Sequence, residues 1–282
     1  MDRRPLILRP AAGLANRMRA LDSCVTLCRR IQRPMLVVWF RDRAFGARFR
    51  DLFEPLDLPG VTLREARLLD YPLYDVAVGR RNLRLPILFE RLRFGHDRMV
   101  SLWETPYYRR ACIVPDIFQK TDRTVYFGCG HQVVPTELRY SMFRPLPDVQ
   151  SSIDALVSTL PPDAIGVHIR RGDHRQATRE SPLELFEDEI RRLLDSGEAS
   201  AFYLASDSPE VKRRLVSLFG SRIVTRDIPL RRHTLAGARE AVVDLWTLSR
   251  CSRLIGSSGS TFAETAAWMG QRPYRFLKEK TL

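Results

Sequence analysis

The chain has 282 residues, 44% hydrophobic and 28% charged, without a Gly/Ser or Pro tract. That length fits two compact domains, each burying its own core without disulfides or structural metals, and the composition excludes disorder as the default. The formal charge is +13, yet only Lys120, Lys212, Lys278 and Lys280 of the 46 basic residues are lysines. This ratio reads as the codon habit of a GC-rich genome rather than selection for phosphate-backbone contacts. Nucleic acid is therefore not an expected partner, although the field attracts anionic substrates.

Met1-Asp2-Arg3-Arg4-Pro5 passes directly into Leu6-Ile7-Leu8, an apolar stretch too short for a signal peptide, so no export is expected. No segment approaches the roughly 20 consecutive apolar residues of a membrane helix, and stable membrane insertion is not expected. Five cysteines without paired spacing fit a reducing cytoplasm. Cys24 and Cys28 stand one helical turn apart among apolar positions, with no His or Cys nearby to complete a metal set, and read as small core residues.

In chain order, Leu6 to Leu8 predicts a strand, Pro10 to Leu14 a loop, Asn16 to Arg30 an amphipathic helix with Asn16 as cap, and Met35 to Phe40 a second strand. This is a βαβ opening, with Gly13 placed where a ligand can approach the backbone. Residues 41 to 115 carry short helical patterns and repeated prolines that impose no clear order. Val125 to Phe127 predicts a strand ending at Gly128-Cys129-Gly130. Prolines at 145, 147, 161 and 162 flank a short helical pattern, Ser152 to Leu160, that joins two domains, 1–148 and 149–282.

The second half alternates regularly. Strands are predicted at 165–169, 202–205, 222–225, 253–256 and 274–277, and helices at 182–194, 209–219, 238–251 and 262–269. Such alternation predicts an α/β fold, a parallel sheet with helices on both faces, whose ligands bind at the carboxyl ends of the strands. Trp39, Phe40, Trp103, Tyr107 and Tyr108 in the N-terminal half read as core or as sugar-stacking residues of an acceptor surface, core for most of them.

Three strand ends carry the chemistry. Gly166-Val167-His168-Ile169-Arg170-Arg171-Gly172-Asp173-His174 delivers two arginines, two histidines and an aspartate to one short stretch. Alternation along the strand sends His168 and Arg170 to one face and Arg171 to the other. A guanidinium there can grip a diphosphate and stabilise the charge on a departing nucleotide, and an Arg-Asp salt bridge closing the strand is the plainer alternative. At Leu204-Ala205-Ser206-Asp207-Ser208-Pro209, Asp207 or Ser208 caps a helix, or Asp207 accepts bonds from a base or ribose. At Gly256-Ser257-Ser258-Gly259-Ser260-Thr261, Thr261 and Glu264 have capping-box spacing, and free amides make an anion site. No lysine follows Gly259, so this is not a P-loop, and no G-x-G-x-x-G is present there. Ser181 and Glu184 form another capping box, with Pro182 at the first helical position.

Together these segments resemble the superfamily of α1,2- and α1,6-fucosyltransferases, the bacterial nodulation fucosyltransferase and the protein O-fucosyltransferases. His168-Ile169-Arg170-Arg171-Gly172-Asp173 resembles its H-x-R-R-x-D motif. Gly13-Leu14-Ala15-Asn16-Arg17-Met18-Arg19 is similar to its G-L-G-N-R-L-R element, with Ala15 in place of a glycine. Val243-Asp244-Leu245 through Phe262 is similar to its C-terminal element.

The resemblance implies a GT-B fold, two Rossmann-like domains facing across a cleft, with an acceptor-side N-terminal domain. It implies transfer of L-fucose from GDP-β-L-fucose to a glycan, peptide or small-molecule hydroxyl, with inversion. It places His168 near guanine, Arg170 on the phosphates, and Ser260 with Thr261 at the β-phosphate. Gly13, Asn16, Arg17, Arg171, Asp207, Asp244, Ser258 and Gly259 complete the expected nucleotide set. Asn16 and Arg170 join the catalytic candidates, and Asp173 and Glu180 are alternative general bases. No Asp-x-Asp pair occurs, so no metal or other cofactor is expected. Transfer from another nucleotide sugar, or nucleotide binding without turnover, are the competing readings.

Overall fold

The computed structural model describes residues 4–74, 88–89, 92–95, 99–101, 117–172, 175–228 and 231–279. The chain divides into two compact units, Met1–Arg144 and Pro145–Leu282.

The first unit is built on a five-stranded sheet of β1 (Leu6–Pro10), β2 (Met35–Trp39), β3 (Val61–Glu65), β4 (Met99–Ser101) and β5 (Val125–Cys129). Its order is β3-β2-β1-β5-β4, and every neighbouring pair runs parallel. Central strands covered on both faces need continuous apolar runs, which Leu6-Ile7-Leu8 and Val125-Tyr126-Phe127 supply. Helix α1 (Leu14–Arg30) buries Leu14, Met18, Leu21, Val25 and Cys28 at the three- and four-residue spacing of one helical stripe. Cys24 and Cys28 are buried free thiols, and burial pushes the Cys28 thiol up to about 12. Trp39 and Phe40 are core residues, whereas Trp103, Tyr107 and Tyr108 lie outside the described residues.

The second unit holds β6 (Ile165–Ile169), β7 (Phe202–Ser206), β8 (Ile223–Val224), β9 (Arg253–Ser257) and β10 (Tyr274–Leu277). The order β10-β9-β6-β7-β8 is parallel throughout and places the first strand of the unit at the centre. Its helices are α2 (Pro147–Val157), α3 (Arg175–Glu180), α4 (Leu183–Asp195), α5 (Pro209–Phe219), α6 (Leu235–Arg250) and α7 (Thr261–Gly270). Phe186, Ile190 and Leu193 of α4 and Val211 and Leu215 of α5 pack on Ile165, Val167 and Ile169. The opposite face of β6 meets α6 so closely that a side chain at Gly166 would stand 2.9 Å from Leu248. Strand order therefore reverses at β6, and the crevice beyond its carboxyl end is the topological switch point where open α/β sheets bind ligands.

The division falls at Arg144/Pro145 because α2, begun by Pro147, packs on α6 and ties Asp148 to Arg239 at 2.6 Å. Helix α6 starts at Leu235, ahead of the expected Ala238, because the Thr234 hydroxyl accepts the Gly237 amide at 3.1 Å. No helix among the described residues is long and apolar enough to cross a membrane.

Candidate functional site

In the second unit, the ends of β6, β7 and β9 bring most of the expected residues together. Asp207, one residue beyond β7, accepts the Arg171 amide at 2.8 Å and the Arg170 guanidinium at 2.9 Å. Both side chains remain partly open to solvent, at 26% for Arg170 and 18% for Asp207. The capping ambiguity is thereby resolved. Ser208 caps α5 by accepting the Val211 amide at 3.3 Å, which leaves the Asp207 carboxylate for arginine. Gly172 is required for this closeness, since a Cβ there would lie 2.6 Å from an Asp207 carboxylate oxygen.

The alternation along β6 separates the arginines. His168 turns toward α7, stacked on Phe262 with ring centroids 5.0 Å apart. Arg171 lies 6.0 Å over Phe186 of α4, on the opposite face, with one terminal nitrogen buried and unpartnered among the described residues. Burial outweighs Asp207 and Glu184 and lowers the Arg171 pKa. Burial, reinforced by Arg170, also holds His168 down to about 4 despite Asp207, so the ring is neutral near pH 7.

The loop after β9 has a different register from the expected one. Ser260, not Thr261, is the N-cap of α7, because Gly259 adopts φ +68° and the Ser260 amide turns back to the Ser257 carbonyl at 3.1 Å. Ser260 accepts the Ala263 amide at 3.3 Å and is paired with His168 Nδ1 at 2.8 Å. Thr261 becomes the first helical residue. No acceptor for the amides of Thr261 and Phe262 occurs among the described residues, the condition under which a helix N-terminus receives an anion.

Ser181 is likewise not a cap. Pro182 occupies the N-cap position of α4 without a side-chain bond, and the Ser181 hydroxyl donates to the Leu277 carbonyl at 2.5 Å while accepting the Ser258 amide at 2.8 Å. The Ser258 hydroxyl donates to Glu180 at 2.7 Å, and Lys278 stands 3.4 Å from the same carboxylate oxygen. Glu180, a candidate base, is therefore engaged by the loop after β9 and by Lys278. Asp173, the other candidate, lies outside the described residues.

Sequence reasoning missed three parts of this framework. Ser257, fully buried, accepts the Arg170 amide at 3.0 Å, and Ser206 donates to the Ile169 carbonyl at 2.8 Å. Phe262 supplies the surface beneath His168. The available signal was a serine as the last residue of both β7 and β9.

The structure does not bring Asp244 to these loops. It is buried midway along α6, bonded to the Tyr203 hydroxyl at 2.5 Å beside the Arg226–Glu240 pair. Burial pushes its carboxyl up to about 7, which Tyr203, Lys212 and Arg226 oppose and Glu240 reinforces.

In the first unit, α1 begins at Leu14 with Gly13 as N-cap, so Asn16 is not the cap but sits within the first turn, its side-chain oxygen Oδ1 buried without a partner among the described residues. Gly13 has an ordinary φ of −76°, and the tight conformation falls on Ala12 at φ +66°. Arg17 is wholly buried. Its guanidinium donates to the Ala12 carbonyl at 2.8 Å, the Phe40 carbonyl at 2.5 Å and the Asp42 carboxylate at 2.9 Å, between the rings of Trp39 and Phe45. These bonds occupy it inside the unit. Among the described residues no cluster of three or more His, Cys, Asp or Glu side chains is arranged to hold a metal ion.

No family model matches the chain, and no curated protein matches it significantly. Solved structures do. A NodZ α-1,6-fucosyltransferase soaked with GDP-fucose is 19% identical, covers 95% of this chain and 93% of its own, and has a TM-score of 0.62. Arabidopsis thaliana FUT1 in complex with GDP is 15% identical, covering 100% of this chain and 71% of its own at a TM-score of 0.64. POFUT1 in complex with GDP is 11% identical over 98% and 99%, with a TM-score of 0.55. These are fucosyltransferases of the kinds that the sequence motifs resemble, and the chain shares their GT-B-type α/β fold over nearly its whole length.

Proposed function

We propose that the second unit binds GDP-β-L-fucose and that the protein transfers L-fucose to an acceptor hydroxyl with inversion at the anomeric carbon. The observation that carries this reading is Arg170 at the switch point, aimed by Asp207 and braced through its amide by Ser257, next to the α7 N-terminus. The GDP and GDP-fucose complexes of the NodZ, FUT1 and POFUT1 structures support guanine as the base and fucose as the sugar.

In this mechanism Arg170 and the Thr261 and Phe262 amides neutralise the charge that accumulates on the β-phosphate as the glycosidic bond breaks, an effect of about 3 kcal/mol for one well-placed donor. They supply the positive potential that a divalent cation supplies elsewhere, and no metal takes part. A carboxylate, Asp173 or Glu180, removes the proton of the attacking hydroxyl, an assistance typically about 10² to 10⁴-fold. The first unit provides the acceptor side.

The test is a thermal-shift series with GDP, UDP, ADP and GDP-fucose, with and without EDTA, on wild type and on Arg170→Ala. Stabilisation by GDP and GDP-fucose alone, unaffected by EDTA and lost in the variant, is expected. A preference for UDP or ADP keeps the fold and changes the donor. Release of GDP from GDP-fucose on adding acceptor glycans or peptides then separates turnover from binding alone.

A further inference from the structure

Ser260 has one hydroxyl proton and a buried position, 5% exposed, in which to place it. Its oxygen accepts the Ala263 amide, and the ring nitrogen Nδ1 of His168 stands 2.8 Å away. Among the described residues no other acceptor is within reach of that hydroxyl. Were His168 protonated at Nδ1, the serine proton would be left buried without a partner, at a cost of about 1 to 3 kcal/mol. The ring is neutral and therefore carries one proton, so that proton resides on Nε2. Stacking on Phe262 fixes the plane of the ring, and Nε2 points away from Ser260 with no protein partner among the described residues.

We propose that Ser260 is a positioning residue that dictates which nitrogen of His168 is protonated, so that the ring offers an Nε2–H donor to a neutral acceptor atom on the base or ribose of the bound nucleotide. This rests on the nucleotide reading above and gives Ser260 a role different from direct phosphate contact: its hydroxyl is already committed to α7 and to His168. The helix amides are left to face the diphosphate.

The experiment is ¹⁵N NMR of the histidine ring nitrogens in the full chain, with GDP titrations of wild type, Ser260→Thr and Ser260→Ala. Wild type is expected to show a pyridine-like Nδ1 and a pyrrole-like Nε2 for His168, assigned by loss of the signals in His168→Gln. Ser260→Thr keeps this signature and the affinity. Ser260→Ala produces a mixture of tautomers and weakens GDP binding about tenfold, the equivalent of one hydrogen bond, a change in ring signature that loss of the helix cap alone would not cause. A pyrrole-like Nδ1 in wild type overturns the proposal, as does a Ser260→Ala protein with mixed tautomers and full GDP affinity. Failure of wild type to bind any nucleotide, with the Nε2–H signature intact, would instead refute the nucleotide reading.

Discussion

Arg170 and Asp207 meet at 2.9 Å across the ends of two adjacent parallel strands, and the same carboxylate accepts the Arg171 amide. A single aspartate thus holds both the Arg171 backbone and the Arg170 side chain. Asp207→Asn retains the amide bond but loses the charge-assisted partner of Arg170, and is expected to weaken GDP binding about tenfold without unfolding the protein. Arg170→Ala is expected to lower turnover by at least about 10²-fold, since it removes a donor whose bond strengthens in the transition state. Equilibrium titration and steady-state kinetics read the two effects separately.

Glu180 and Ser258 are bonded at 2.7 Å and should act as a unit. Glu180→Ala and Ser258→Ala are each expected to raise the Kd for GDP several-fold, and the double variant little more, because either change releases the same loop. Glu180→Gln compared with Asp173→Asn identifies the base: the one that cuts kcat by about 10² to 10⁴-fold at unchanged GDP affinity removes the acceptor proton.

His168 titrates near 4 in the fold because burial and Arg170 disfavour its charged form. As pH falls below about 6.5, the ordinary histidine value, the unfolded chain takes up a proton that the native protein refuses. The stability contributed by the neutral ring is present above that pH and lost on the way down to about 4. His168→Gln should flatten the fall in urea midpoint between these values, and the affinity of wild type for GDP-fucose, whose esterified diphosphate does not titrate in this range, should stay level from pH 8 to about 5.

Asp244 produces the opposite slope. Its carboxyl titrates at about 7, largely through burial, against an ordinary value near 4. Between those values the native state holds a proton that the unfolded chain has released, so this group's contribution to stability declines as pH rises from about 4 to 7. The groups facing it are Tyr203, Glu240, Lys212 and Arg226. Asp244→Asn is expected to gain stability relative to wild type as pH increases over this window, measured by denaturant melts at pH 5 and 7.5.

Arg17 is the corresponding test in the first unit. Arg17→Met removes the donor shared by Ala12, Phe40 and Asp42 and leaves a carboxylate and two carbonyls short of a partner. A loss of about 3 to 5 kcal/mol is expected, read from the denaturation midpoint. Arg17→Lys should recover only part of it, since an ammonium cannot span the three acceptors as the planar fork does.

Much of the second unit is legible in the sequence. Continuous apolar strands alternating with amphipathic helices imply a parallel sheet, and Arg170, Asp207 and Ser260 stand at strand ends because those ends are where each segment turns polar. The middle of the first unit was not legible, since β3 and β4 are the edge strands of their sheet, β4 has only three residues, and both lie among short helical patterns and repeated prolines that impose no order. Helix caps differ from the sequence expectation by three residues at Asn16 and by one at Ser181 and Thr261. At 257–261 several small polar residues in a row satisfy the same capping rule and spacing alone does not choose among them, whereas at Gly13 and Pro182 the helix begins without any side-chain cap.

What the sequence determined by itself was the periodicity, hence the parallel α/β architecture, and the residue types delivered to each strand end. The tertiary structure decided the partners: Ser181 with Ser258, 77 positions apart, Ser260 with His168, 92 apart, and Arg17 with the carbonyl of Phe40, 23 apart. A hydroxyl or guanidinium has no preference written into its neighbours in the chain. Its role is set by whichever unpaired donor or acceptor the packing buries beside it, because in a low-dielectric interior leaving that group unsatisfied is costly.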